Sequence, residues 1–209
     1  MSAFHRERWS VVWHAIPAQG DPGKWFDTLA ARYAEPHRHY HTAHHISECL
    51  EIFDSTRHLA QQPLAVELGL WFHDAIYDTH AGDNEEKSAE LAVQCLEEAG
   101  ADRPLQVAVS ELVLVTRTHE GSTHPDASLL VDIDLSILGA TETRFSEYED
   151  QIRREYAWVP EDIFRSKRAE ILERFLARKV IFHTPWFFES HEKQARSNLR
   201  ASLTRLRSM

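Results

Sequence analysis

Cysteine, glycine and long apolar runs are scarce in this chain. Only 2 Cys and 7 Gly occur among its 209 residues, and Cys49 and Cys95 lack the paired spacing of disulfide-rich domains and cysteine-type zinc sites. Reduced thiols are therefore expected. No apolar run approaches the length of a membrane span, and residues 1–16 hold charges without a continuous apolar stretch behind them. The sequence predicts a cytoplasmic protein without a membrane partner.

Basic residues are also few, since 33 acidic side chains stand against 23 basic ones and the formal charge is -10. Such a charge opposes attraction to DNA or RNA, so a nucleic-acid polymer is excluded as the expected partner, whereas a small phosphorylated ligand is still compatible. The one residue type in excess is histidine, with 14 copies. This excess is compatible with metal ligation, although solvated imidazoles in polar stretches account for it equally well.

Helical periodicity runs through nearly the whole chain, and the sequence predicts an all-α fold. With no Gly-rich linker and no change in composition, residues 1–209 are expected to form a single-domain helical bundle. The 6 Trp and 10 Phe serve a core or an interface equally, so a homodimer is compatible too. The predicted helices cover about 7–16, 22–34, 42–61, a stretch from 63 through the His73-Asp74 pair, 84–99, 105–118, 126–138, 143–156, 160–178 and 185–205.

Local signals set several of these boundaries. Asp21 followed by Pro22 is typical of a helix start, and Pro17 is expected to close the helix before it. Asp83 with Glu86 three residues later predicts a capping box. Gly100 is expected to end that helix. The segment 105–118 is rich in Val and Leu and resembles a strand locally, but its length and flanks favour a helix.

The apolar stretch 67–77 contains the adjacent pair His73-Asp74. An ionised Asp removed from water needs a cation, a hydrogen-bonded partner or a metal to compensate it, so this pair is a candidate for chemistry. The alternative is a His that bonds a carboxylate at a helix end. Only partners elsewhere in the chain can decide between the two.

Three further places put metal-capable side chains in or beside apolar helix. His41 and His45 are four residues apart and project from one helix face, with His44 as a competitor of His45 and exposed imidazoles as the plain alternative. In the apolar run 129–138, Asp132 and Asp134 cannot both be buried without partners, so we expect one to face solvent and the other a cation or an Arg. His119 follows the preceding helix, where a His usually interacts with the helix dipole.

His45, His73, Asp74 and Asp134, in this order along an all-α chain, resemble the ligands of the HD superfamily of metal-dependent phosphohydrolases. The resemblance extends to a bacterial branch of predicted HD-domain phosphohydrolases and covers most of the chain. The motifs that carry it are Arg38-His39-Tyr40-His41-Thr42, His45-Ile46, residues 71–77, residues 84–89, residues 132–139 and residues 192–199 with Ala195-Arg196 and Asn198-Leu199.

The resemblance implies a helical bundle that holds a divalent ion, and the four donors suit Mn, Fe, Co, Ni, Zn or Mg with positions left for water and a phosphate oxygen. By similarity to cyclic-nucleotide phosphodiesterases, His41 is expected to protonate the leaving oxygen. Glu85 is expected to orient or deprotonate the water, with helix-dipole stabilisation as the alternative. His119 is the candidate for a second metal or a phosphate contact.

Three arginines, Arg38, Arg154 and Arg196, are candidates to clamp phosphate, with surface ion pairs as the alternative for each. The leading function is hydrolysis of a phosphoester in a small phosphorylated metabolite, with nucleotides among the candidates. A di-iron oxygenase is the second hypothesis and would need further His ligands from His119, His44 or His41. The third is a non-catalytic sensor module that only binds a nucleotide.

Overall fold

The computed structural model describes residues 2–16, 20–120 and 124–208, and every regular element in these ranges is helical. The prediction of an all-α fold is confirmed. None of the described helices combines the length and apolarity that crossing a bilayer requires. The helices are α1 (Arg6–Ala15), α2 (Pro22–Tyr33), α3 (Ala43–Thr56), α4 (Pro63–Phe72), α5 (Asn84–Glu98), α6 (Arg103–Leu114), α7 (Pro125–Asp134), α8 (Glu142–Glu155), α9 (Glu161–Ala177) and α10 (Pro185–Ser208).

The chain divides into two compact units, residues 1–134 and residues 135–209. The first holds α1 to α7, and the second begins with a short 3-10 helix, Leu135–Gly139, and holds α8 to α10. Two further 3-10 turns, Arg57–Leu59 and Val115–Arg117, extend α3 and α6. A single domain over residues 1–209 stays a prediction.

Most of the helix boundaries follow the local signals in the sequence. Asp21 accepts a hydrogen bond from the backbone of Gly23 at 2.8 Å and caps α2, which begins at Pro22. Gly100 follows α5 with a φ of 75°, the left-handed conformation that glycine adopts without strain. Residues 103–114 are helical, as predicted against the strand alternative. Pro17 lies outside the described residues.

The predicted capping box at the start of α5 is wrong. Asp83 is the N-cap residue, but its side chain makes no capping hydrogen bond and instead accepts one from Lys87 at 2.9 Å. Lys87 lies one turn into the helix and carries a positive charge, so it competes for the carboxylate that would otherwise bond a backbone N–H.

Helix α4 lies deep in the first unit, because every residue from Ala65 to Phe72 is buried. Trp71 packs against Phe4 and Trp9, with ring centroids 4.9 and 5.3 Å away. The one charged side chain of α4, Glu67, is 4% exposed and pairs with Arg8 at 2.9 Å and also with Arg57. Aromatic packing and a satisfied charge therefore hold the helix that leads into the His73-Asp74 pair.

The second unit is held by polar side chains that bond the backbone. Asn198 on α10 donates to the carbonyl oxygens of Leu138 and Ala140, both at 2.9 Å. Glu192 accepts from the backbone of Ile181 at 2.9 Å and of Phe182 at 3.1 Å. These bonds tie the turns before α8 and α10 to α10 itself, so backbone groups in this unit are paired where they are buried.

Gly139 lies directly against α10, and we expect the substitution Gly139→Ala to destabilise the protein by roughly 1–3 kcal/mol. A Cβ at this position would lie 2.6 Å from the Cβ of His191 and 2.9 Å from its carbonyl oxygen. A backbone oxygen cannot rotate away, so the helix itself would have to shift. Urea denaturation, read by circular dichroism, measures the change.

The matched control is Gly82→Ala, because a Cβ at Gly82 meets nothing within 4 Å. We expect this variant to be within about 0.5 kcal/mol of the wild-type protein or slightly more stable. Equal stability of the two variants would contradict the close approach of Gly139 to α10.

Candidate metal centre

Helix α3 delivers His45 to the interior of the first unit. Thr42 begins the helix by accepting a hydrogen bond from the backbone of His44. His45 is then 2% exposed, whereas the side chain of His44 is 68% exposed and lies 3.6 Å from Glu48. The choice that the sequence leaves open is therefore decided in favour of His45, because only its imidazole faces the other candidate ligands.

The turn at the end of α4 delivers His73 and Asp74. The helix ends at Phe72 and His73 is its C-cap residue. Its Nδ1 lies 3.1 Å from the carbonyl oxygen of Leu70. A carbonyl oxygen can only accept, so Nδ1 carries the proton and Nε2 of the neutral ring presents its lone pair to the site.

Asp134, the last residue of α7, completes the arrangement. The Nε2 atoms of His45 and His73 are 3.2 Å apart. Asp74 Oδ2 lies 3.4 and 3.1 Å from these two nitrogens, and Asp134 Oδ1 lies 3.2 and 3.5 Å from them. Four donor atoms from three segments, far apart in the sequence, converge on one point. The expectation that either Asp132 or Asp134 faces solvent is wrong, since Asp132 is fully buried and the side chain of Asp134 is only 12% exposed.

These separations fit a metal ion. Ligand atoms bound at about 2.0–2.2 Å lie about 3.3–3.6 Å apart at the corners of a tetrahedron and about 3.0 Å apart at adjacent corners of an octahedron. The four atoms are also mutual acceptors when the imidazoles are neutral, so their lone pairs repel unless a cation or protons lie between them. A divalent ion among them would satisfy all four at once.

Cys49 is the member of the site that the sequence reasoning missed. It is a free, buried thiol one turn after His45, and its Sγ lies 3.7 and 3.8 Å from the two ring nitrogens of His45. Ligand atoms of His45, Cys49, His73 and Asp134 all lie within 4.8 Å of one another and form a group that could hold a metal ion. The four-residue spacing from His45 puts the thiol on the same helix face and is the signal in the sequence that indicates it.

Asp74 and Cys49 differ in how closely they approach the imidazoles. Asp74 Oδ2 comes within 3.4 Å of both Nε2 atoms, whereas the thiol of Cys49 is nearly equidistant from Nδ1 and Nε2 of His45. The sulfur therefore does not lie along the lone-pair direction of Nε2, where a shared ion would sit. We rank Asp74 above Cys49 as a ligand for this reason.

The electrostatics of the site raise the pKa values of the imidazoles and lower those of the carboxylates. Burial alone would lower the pKa of His45 and His73, but neighbouring acidic groups, led by Cys49 for His45 and by Asp74 for His73, raise both values well above normal. Burial would raise the pKa of Asp74 and Asp134, but the imidazoles, His73 foremost, hold both well below normal. Without a metal, protons on the imidazoles therefore take the place of the cation.

We expect the stability of the metal-free protein to depend on pH with a definite sign. The raised imidazole pKa values contribute stability that is fully present below about pH 6.5 and is lost as the pH rises through the folded-state values. The lowered carboxylate pKa values contribute stability that is present above about pH 4 and is lost in stronger acid. The thermal midpoint in chelator should therefore fall as the pH is raised from 6 to 9.

Metal affinity should change in the opposite direction, because an ion must displace the protons on His45 and His73. We expect affinity to rise with pH by up to roughly tenfold per unit for each proton released. Calorimetric titration in two buffers of different ionisation enthalpy counts these protons. An affinity independent of pH between 5.5 and 8 would contradict the assignment of the two imidazoles as ligands.

His119 and His41 lie beside the four donors. His119 Nε2 is 2.8 Å from Asp134 Oδ2, the oxygen that does not face the imidazoles, and His119 has a φ of 49°, which is unusual for a residue other than glycine. The ring of His41 stacks on Tyr77 with centroids 4.2 Å apart and lies 6.0 Å from the ring of His45. Both predicted catalytic histidines are thus adjacent to the centre, and their roles stay predictions.

Glu85 and two of the three predicted phosphate-binding arginines lie on other elements. Glu85 is half-buried in the first turn of α5. In the second unit, Arg154 is exposed on α8, and Arg196 on α10 bonds Glu192 at 2.7 Å and the carbonyl oxygen of Leu176 at 3.1 Å. The water-orienting role of Glu85 and the phosphate contacts of both arginines stay predictions.

Arg38 is in the first unit and is 4% exposed. Its guanidinium donates to the carbonyl oxygens of Asp74 at 2.6 Å and Ala75 at 3.0 Å. Its predicted phosphate contact stays a prediction, but the group is engaged with the backbone that carries Asp74.

The chain matches no protein-family model, and comparison with curated proteins and with solved structures also returned no match. A buried group of His, Cys, His and Asp side chains that could hold a metal ion, inside an all-helical fold, is compatible with an HD-type site. The functional argument therefore depends on the site itself.

Proposed function

We propose that this protein is a metal-dependent phosphohydrolase of the HD type that acts on a small phosphorylated metabolite, with nucleotides among the candidates. The observation that carries the proposal is the convergence of two carboxylate oxygens on two imidazole nitrogens. The nitrogens are 3.2 Å apart, and each oxygen lies 3.1–3.5 Å from both of them. An ion held by these four groups keeps coordination positions for water and substrate, which is the arrangement of a catalytic rather than a structural site.

The exposure of the donor groups indicates from which side a substrate approaches. The imidazoles of His45 and His73 are 2% and 1% exposed, whereas the side chains of Asp74 and Asp134 are 20% and 12% exposed. The centre therefore opens on the side of the carboxylates and is closed behind the imidazoles. A small anionic substrate suits such an opening better than a polymer does, and the chain's charge of -10 points the same way.

Two histidines at this opening supply the remaining functions. A bound divalent ion lowers the pKa of water to near neutrality and neutralises charge on a phosphoryl oxygen. His41 is half-buried, is oriented by stacking on Tyr77 and protonates the leaving oxygen. His119 holds the second oxygen of Asp134 and would leave the other oxygen of that carboxylate to bind an ion.

A metal-resolved activity screen tests the proposal. Purified protein is stripped, loaded separately with Mn, Fe, Co, Ni, Zn or Mg, and assayed against phosphomonoesters, nucleotides and cyclic dinucleotides, with Asp74→Ala as the inactive control. We expect hydrolysis with at least one metal that is absent from the control, whose metal content should be near zero while its circular dichroism is unchanged.

Other outcomes of the screen would replace the proposal. Two irons per chain with an O₂-dependent absorption change would favour the oxygenase. Tight nucleotide binding without hydrolysis under any metal would favour the sensor module. Full metal content in Asp74→Ala would remove the assignment of the centre itself.

A further inference from the structure

Arg38 lies in the loop between α2 and α3, at the point where the two segments that carry candidate ligands meet. Its Nη1 donates to the carbonyl oxygens of His41 at 3.1 Å and Asp74 at 2.6 Å, and its Nη2 donates to that of Ala75 at 3.0 Å. Its Nε donates to Glu35 at 3.0 Å. One guanidinium thus joins the segment before α3 to the turn after α4.

The surroundings of this guanidinium are those of a buried, compensated charge. The side chain of Arg38 exposes 0% of its surface, and that of its counterion Glu35 exposes 26%. Aromatic rings lie next to the guanidinium carbon, with the Tyr33 centroid at 5.3 Å and the Tyr77 centroid at 5.5 Å. A buried cation costs several kcal/mol unless hydrogen bonds and a partner compensate it, and both are present here.

The burial of Arg38 and the hydrogen bonds that it already makes argue against a phosphate contact. Four of the five N–H groups of Arg38 donate to oxygens of the protein. A phosphate that bound two N–H groups, as a bidentate clamp does, would have to displace at least one of these oxygens. Leaving such acceptors unpaired costs about 1–3 kcal/mol each. With no exposed side-chain surface, the group also offers no path to a solvent-borne anion.

We propose that Arg38 is a positioning residue of the metal centre and does not bind phosphate. By bonding the carbonyl oxygen of Asp74 it sets the backbone from which that ligand projects, and by bonding the carbonyl oxygen of His41 it holds the segment that leads into His45. The planar fork of arginine reaches three carbonyl oxygens at once, which the point charge of lysine cannot do. The proposal rests on the metal centre but not on phosphoester hydrolysis.

Metal affinity of Arg38→Lys tests the role. Lysine keeps the charge but loses the fork, so we expect affinity for Zn or Co to fall about 10–100-fold, the range typical of groups that orient ligands, and the visible absorption of the Co-loaded protein to change. The matched control is Arg32→Gln, because the side chain of Arg32 also pairs with Glu35, at 3.3 Å, but is 46% exposed. This control should keep wild-type metal affinity and the wild-type Co spectrum.

Inorganic phosphate distinguishes the two roles of Arg38. If Arg38 clamps phosphate, Arg38→Lys should keep its metal affinity while the affinity of the metal-loaded protein for phosphate falls, and this result would overturn the proposal. A merely structural effect is excluded with Gly139→Ala, which should lose stability without losing metal affinity. An equal loss of metal affinity in Gly139→Ala would also overturn the proposal.

A second variant covers the case in which Arg38→Lys does not fold. Glu35→Gln keeps the three carbonyl bonds of Arg38 and weakens its ion pair, so a smaller decrease in metal affinity of several-fold is expected. Glu35 also pairs with Arg32, and the Arg32→Gln control measures the effect of losing that pair. An unchanged affinity in this variant would count against the proposal. None of these readouts requires turnover, so they remain decisive even if no phosphoester is hydrolysed.

Discussion

Asp134→Asn is expected to abolish metal binding while leaving the fold intact. The amide replaces a carboxylate whose Oδ1 lies 3.2 Å from His45 Nε2 and 3.5 Å from His73 Nε2. It has nearly the same shape but no charge, and an amide oxygen is a weak ligand for ions that imidazoles also bind. We expect metal content to fall to near zero and the proposed hydrolysis to fall by at least about 100-fold. Elemental analysis of dialysed protein measures the first quantity.

The matched control for this substitution is Asp78→Asn. Asp78 is four residues after Asp74, but its side chain is 59% exposed and pairs with the exposed His80 at 3.2 Å. Metal content and activity should therefore be unchanged in this variant. An Asp134→Asn protein that keeps a full complement of metal would show that Asp134 is not a ligand, whatever its activity.

Removal of the metal is expected to lower thermal stability by about 5–15 °C. A ligand that binds only the folded state stabilises it by about 2.7 kcal/mol at 100 times its Kd and about 4.1 kcal/mol at 1,000 times its Kd. One kcal/mol corresponds to roughly 2–4 °C for a chain of this size. The stabilisation comes from the buried donor groups, because the bound ion replaces the protons that otherwise reduce the repulsion between the two carboxylates. Differential scanning calorimetry with and without a chelator measures the shift.

The identity of the metal follows from the same measurement. Two imidazoles among four donors favour Zn, Co, Ni or Fe over Mg, so the shift should be larger for these ions than for Mg at equal concentration. Asp134→Asn serves as the control and should show no metal-dependent shift. Equal midpoints of the wild-type protein in chelator and in each metal would contradict the existence of the site.

Much of the fold could be predicted because the sequence signals that specify a helix are local. Each helix shows its own periodicity and its own end signals, as Asp21 with Pro22 and Gly100 illustrate, and these signals act over one or two turns. The prediction of a capping box at Asp83 was wrong for an equally local reason, since Lys87 donates a hydrogen bond to the carboxylate of Asp83. Such competition between side chains depends on rotamers, which a sequence pattern does not contain.

Some of the candidate ligands could also be predicted from local sequence. An Asp in an apolar stretch needs a partner wherever it lies, so the sequence identifies Asp74, Asp132 and Asp134 as candidates, and the resemblance to the HD superfamily selects Asp134 over Asp132. That these two carboxylates and two imidazoles share one point depends on how α3, α4 and α7 pack. Packing is a property of side-chain shapes from distant segments, which no local pattern encodes.

The sequence by itself determined that the chain is all-helical, that helices begin near Pro22 and end near Gly100, and that acidic side chains in apolar surroundings need compensation. Only the tertiary structure decided between His44 and His45, placed Cys49 beside the candidate ligands and engaged Arg38 with carbonyl oxygens instead of solvent. The physical reason is that periodicity and capping act within a helix, whereas the direction of a side chain and its partners depend on contacts between helices.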